Sequence, residues 1–155
     1  MQITPQIAKQ LHDVHFGGNW TWSTLKEHLS DVTWQQATTK VQSFNTIATL
    51  VFHINYYVDI TTNVLEGNGL NGNDKFSFDH PPINSSSDWE TMLNKLWSDA
   101  EKCAALIEKF PDEKLGDMFF EEKYGTYYRN FHGLIEHTHY HLGQIVIIKK
   151  LLTSS

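Results

Sequence analysis

One cysteine, Cys103, stands in 155 residues, so no internal disulfide holds this chain together. A chain of this length buries roughly two-thirds of its unfolded surface and needs no such framework. Prolines number four: Pro5 and Pro111 fall at the ends of periodic segments, and Pro81-Pro82 fall between two of them. Long apolar runs are missing too: the longest, residues 47–52, is interrupted by Thr49 and falls far short of the ~20 residues that span a bilayer. The start, MQITP, lacks the basic and apolar blocks of a signal peptide, so the expectation is a cytoplasmic protein with no membrane partner. Basic charge is scarce as well. Twelve Lys and Arg against eighteen Asp and Glu give a formal net charge of −6, and the densest basic cluster is Lys149-Lys150. Phosphate neutralisation supplies much of the affinity of nucleic-acid binders, so nucleic acid is excluded as an expected partner. With 19% charged and 40% hydrophobic residues the composition is that of one folded domain over residues 1–155.

What is present is helical periodicity. Thr4-Pro5 reads as a helix start followed by the stripe Ile7, Leu11, Val14 and a stop at Gly17-Gly18. Thr24 and Glu27 have capping-box spacing, and Thr33-Trp34 opens another short turn. A second long helix is expected over residues 44–66, with Phe44, Ile47, Val51, Ile54, Val58 and Leu65 on one face and Asn55, Asp59 and Asn63 opposite. Residues 67–86, rich in Gly, Asn and Ser with Pro81-Pro82, read as a long crossover loop. Ser87 and Glu90 suggest the cap of a third long helix that ends before Pro111, and a fourth is expected over residues 126–152. The fold class is therefore all-α, a four-helix bundle; an irregular helical domain in which residues 76–78 form a short ribbon is the alternative.

Nine histidines are the unusual content. His137 and His141 stand four apart on the last helix, one turn above the other, whereas His139 is turned ~160–200° away. Such a pair can offer two imidazole nitrogens to one divalent ion at about 2.0–2.1 Å, or be two core-edge histidines bonded to backbone and water. His53, on the flank of the second helix's apolar stripe, joins them if those two helices are neighbours, because bundles build metal sites from facing helices. Three neutral imidazoles with an open position suit zinc, nickel, iron or manganese, and the sequence does not choose among them. Gln144 shares the side of the pair and is a candidate to orient a ligand. His15 lies on the first helix's apolar stripe, within possible reach of the site, or is a core-edge histidine. Cys103, beside Ala104 and Ile107, reads as packing.

The segments NTIATLVFHINYY at residues 45–57 and HTHYHLGQI at residues 137–145 resemble the two signature blocks of the DinB-like superfamily, which includes bacillithiol transferases. FGGNWTW at residues 16–22, followed by LKEHL at 25–29, is similar to that family's first-helix exit. The resemblance implies a four-helix bundle, often a homodimer, with one divalent metal on three histidines; carried over by position these are His53, His137 and His141. It also implies a small-molecule substrate, with transfer of a low-molecular-weight thiol to an electrophile as one chemistry and hydrolysis as another. A non-catalytic, stress-related dimeric metal-binding module is the alternative. The mycothiol-dependent branch carries an additional C-terminal domain and is disfavoured. No residue stands out as a general base.

Overall fold

The computed structural model describes residues 1–154. Its long helices are α1 (Thr4–Phe16), α4 (Ile47–Leu65), α5 (Ser86–Glu108) and α6 (Tyr127–Thr153), with two short ones, α2 (Leu25–Leu29) and α3 (Trp34–Thr38), between α1 and α4. The described residues form no strand; one isolated bridge joins Met118 and Thr126. Residues 76–78 belong to no ribbon: a 3₁₀ turn occupies Asp74–Phe76.

Local chemistry sets most helix ends. Thr24, Thr33, Thr46 and Thr126 each cap the helix that follows, their side-chain oxygens accepting from a backbone N–H in the first turn. The Thr33 N–H in turn donates to the Gln36 side-chain oxygen, which completes a capping box. Three expectations need correction. Residue 44 lies outside α4, because Thr46 caps that helix and Phe44 sits in the preceding turn, about half exposed. The α5 cap is Ser85 rather than Ser87, with Asp88 closing back onto the Asn84 N–H. Thr4 is not a cap either: the N–H groups of Ile3 and Thr4 donate to the Asp112 carboxylate, 108 residues and more away in sequence. A distant side chain thus satisfies donors that helix starts leave open.

Helix α1 packs on α5 and α6, and α4 packs on the same two, so the four long helices form a ring in which α4 and α6 are neighbours. The apolar interior divides into two lobes. One gathers Val14, Leu50, Ile54, Leu96, Leu142 and Ile145; the other gathers Leu11, Val58, Ile107, Phe131, Leu134 and Ile135. Each fully buried aliphatic or aromatic side chain stabilises the fold by about 1.5–3 kcal/mol. The order of these residues along the chain sets helix directions: α1 and α6 run from the second lobe to the first, α4 and α5 from the first to the second. Two parallel helices in succession cannot be joined by a short turn. The segment between α4 and α5 must return along the bundle, and it therefore passes the level where the lobes divide.

Candidate metal centre

That level is polar. On α4 it falls near His53, which adjoins Ile54 of the first lobe and precedes Val58 of the second; on α6 it spans His137 to His141, between Ile135 and Leu142. His53 and His141 are buried and His137 is half-buried. One ring nitrogen from each of the three lies within 4.8 Å of the others. The Nε2 atoms of His53 and His137 approach to 3.0 Å. Two nitrogens bound tetrahedrally at about 2.0–2.1 Å from one ion stand about 3.3 Å apart, a spacing inside the range these rings present.

The outward nitrogens support the same arrangement. His53 Nδ1 lies 3.2 Å from the Ser77 carbonyl, and His141 Nδ1 lies 2.6 Å from Gln144 Oε1. Oxygen acceptors can only accept, so each Nδ1 donates and each Nε2 is left with its lone pair facing inward. His137 lacks this help: its Nδ1 is buried without a hydrogen-bond partner. Burial pushes all three imidazoles below the ordinary histidine range; His137, set beside two others, is held at about 4. The rings are neutral at physiological pH, the form that ligates metal. The donor set fits a divalent ion.

The crossover segment closes one side of the cluster. Besides the Ser77 carbonyl it brings Phe78, which stacks on the His53 ring at 3.9 Å with 9° between planes. Tyr57 stands edge-on to both His53 and His137, and its hydroxyl donates to Asp74. Burial, and then that bond, raises the Tyr57 pKa. Gly72 fits here for lack of a side chain: a Cβ would come within 2.3 Å of the Ile60 side chain. Past His137 opens a cavity of about 780 Å³ that includes Tyr57, Asp74, Phe119, Arg129 and Gly133 in its walls.

Of the residues singled out in the sequence, the structure brings His53, His137 and His141 together and sets Gln144 against His141. His15 stays apart. It is fully buried, its Nδ1 donates to its own helix at the Leu11 carbonyl, and among the described residues no hydrogen bond or ring contact links it to the three. Cys103 is buried in the second lobe with its thiol pushed up to about 12, an inert position. Ser77 went unnoticed in the sequence because a backbone carbonyl has no residue signature; an aromatic such as Phe78 inside a glycine-rich loop was the available hint.

No curated protein and no solved structure matches the chain. The family model of the DinB superfamily matches residues 18–145. That stretch runs from the exit of α1 to deep within α6 and holds all three histidines with their acceptors Ser77 and Gln144. No helix among the described residues is long and apolar enough to cross a membrane. A helical ring carrying an imidazole cluster between α4 and α6, matched over most of its length, places the chain in the DinB superfamily.

Proposed function

We propose that the chain is a metal-dependent enzyme in which His53, His137 and His141 hold one divalent ion and which transfers a low-molecular-weight thiol to an electrophile. The observation that carries the reading is the pair of outer acceptors: Ser77 and Gln144 aim two of the three imidazoles inward before any ligand arrives. A divalent ion on three neutral imidazoles keeps an open position and lowers the pKa of a thiol or water bound there toward neutrality. The chain's own groups do the rest. Phe78 and Tyr57 keep water from one side of the cluster. Tyr57 stays protonated and fixes Asp74 at the rim, so the crossover segment is anchored beside the site. The cavity past His137 is large enough to seat a small thiol and its acceptor. Thiol addition asks for a deprotonated sulfur and a held electrophile, and it needs no separate general base. Hydrolysis at the same open position is the second chemistry that this donor set allows.

The test combines metal analysis of tag-free protein with a conjugation assay that uses a panel of small thiols and a fluorogenic electrophile. The expected result is roughly one equivalent of divalent metal and conjugation that a chelator abolishes and His53→Ala removes. Metal below a few tenths of an equivalent after reconstitution would sink the reading. Full metal occupancy with a chelator-sensitive melting temperature and silent conjugation and hydrolysis screens would instead make the chain a non-catalytic module.

A further inference from the structure

The cavity beside the histidines is lined by charges of both signs. Its walls include Asp74, bonded to the Tyr57 that stands against His137, with Glu136 next to His137 in sequence; Lys123 and Arg129 also line it, Arg129 about two helical turns before His137 and bonded to the Tyr124 carbonyl. Lys123 already pairs with Glu121. Arg129, the single arginine of the chain, has no carboxylate within 4.0 Å among the described residues, and its one recorded side-chain bond goes to the Tyr124 carbonyl at 3.1 Å. The residue is exposed and its guanidinium carries five donors, so most of them face solvent rather than protein.

Its position is electrostatically unfavourable for the helix that carries it. Arg129 lies in the first turn of α6, which contains no acidic residue. The N-terminal end of a helix already bears the positive pole of the backbone dipole, and a cation there destabilises by a few tenths of a kcal/mol or more. The first-turn N–H groups already donate to the Asp117 and Leu115 carbonyls and the Thr126 hydroxyl, so the guanidinium, rather than open backbone donors, is the group that favours an anion in front of that turn.

The path from this end to the histidines is kept open. Arg129, Gly133 and His137 succeed one another at intervals of four and so share one face of α6, the first and last about 12 Å apart along the axis. Gly133 between them has nothing within 4 Å of where a Cβ would be. Packing does not demand glycine here, and glycine in a helix interior costs about 1 kcal/mol relative to alanine. Ile60, Leu70, Phe119 and Leu134 supply apolar walls along the same stretch.

We infer that this cavity takes an elongated small molecule whose carboxylate is bound by Arg129 at the start of α6 while its reactive end reaches His137 past Gly133. The carboxylate specifies which molecule is admitted; Arg129 is a binding residue and takes no part in the chemistry. The identity of the reactive end rests on the metal-dependent reading above, whereas the anion-binding end does not.

The test has two arms on the full chain. In the first, metal-free protein is titrated with octanoate and octan-1-ol, followed by amide NMR shifts. Octanoate is expected to bind at least about ten-fold tighter, a charged hydrogen-bond pair being strong enough to give that ratio. Arg129→Met should erase the preference and leave octan-1-ol unchanged, Arg129→Lys should restore part of it, and Gly133→Leu should block both probes. Gly133→Ala, which the open space tolerates, reports on the groove should the leucine variant not fold. Equal octanoate affinity in wild type and Arg129→Met, or no octanoate binding at millimolar concentration, overturns the inference. In the second arm, cobalt(II)-loaded protein is titrated with 8-mercaptooctanoate, sulfur binding being read by the thiolate-to-cobalt absorption. Absorption with equal affinity in wild type and Arg129→Met overturns the anion end while leaving the metal reading intact. A carboxylate preference in the first arm with no absorption in the second upholds the anion end and removes the thiol.

Discussion

His15 and His137 are both kept neutral down to about pH 4, and they differ in everything that surrounds them. His15 is sealed between helices, bonded to its own backbone through Nδ1, with Nε2 meeting no partner. His137 has the reverse arrangement: its Nε2 faces His53 and its Nδ1 is the unpartnered atom. A low imidazole pKa therefore does not separate a packed histidine from a ligating one. The nitrogen that meets other lone pairs does. The Nε2 of His15 is buried and meets no partner, whereas that of His137 converges with the rings of His53 and His141.

The largest difference between the two should appear in metal binding. A three-imidazole site with a total affinity on the order of 10 kcal/mol loses about a third of it with each ligand, so His137→Ala should weaken binding by about 300-fold. His15→Leu should leave the affinity unchanged. Competition titration against a chromophoric chelator measures both, and an equal loss in the two variants would erase the distinction.

The next effect should be the pH dependence of stability. The folded chain holds His15 at about 4 against an ordinary 6.5. Below 6.5 the unfolded chain takes up a proton that the folded chain refuses until about 4. The stabilisation is therefore complete above pH 6.5 and is lost as pH falls from 6.5 to 4, by about 3 kcal/mol in total. Urea melts of metal-free wild type and His15→Leu at several pH values should show this loss in the first and a shallower one in the second. Parallel curves would assign the acid sensitivity to the histidine cluster, whose depressed pKa values act with the same sign.

The smallest effect sharpens the cluster itself. Gln144→Leu removes the acceptor that aims His141 and should weaken metal binding by about 10-fold without changing the fold. Gln144→Glu keeps an acceptor and should restore most of the affinity. Identical affinities in all three proteins would make Gln144 a bystander.

The apolar periodicity of α4, α5 and α6 gives those helices away in the sequence because each must bury one face, and the same spacing sets His137 over His141. Local starts at Thr24 and Thr33 are legible for the same kind of reason, since cap and partner lie within one turn. Contacts that join distant parts of the chain leave no such mark. Asp112 serving the start of α1, and Ser77 serving His53, depend on where the tertiary structure puts a single oxygen. The crossover segment has no period to read, yet helix direction compels it to pass the histidines. His15 misled because a position on an apolar stripe says that a residue faces inward and nothing about which neighbours it meets there.

The return of the chain between two parallel helices has a consequence for how this scaffold can diversify. The same stretch supplies the oxygen that steers one imidazole and the residues that bound the entrance to the hollow beside it. An insertion or deletion there alters the aim of that imidazole and the breadth of the entrance in a single event, while the helices keep their own packing and lose at most the support of Ile83, which the stretch lends to the first lobe. Variety in the shape of that hollow can thus accumulate in a stretch whose tie to the core is Ile83.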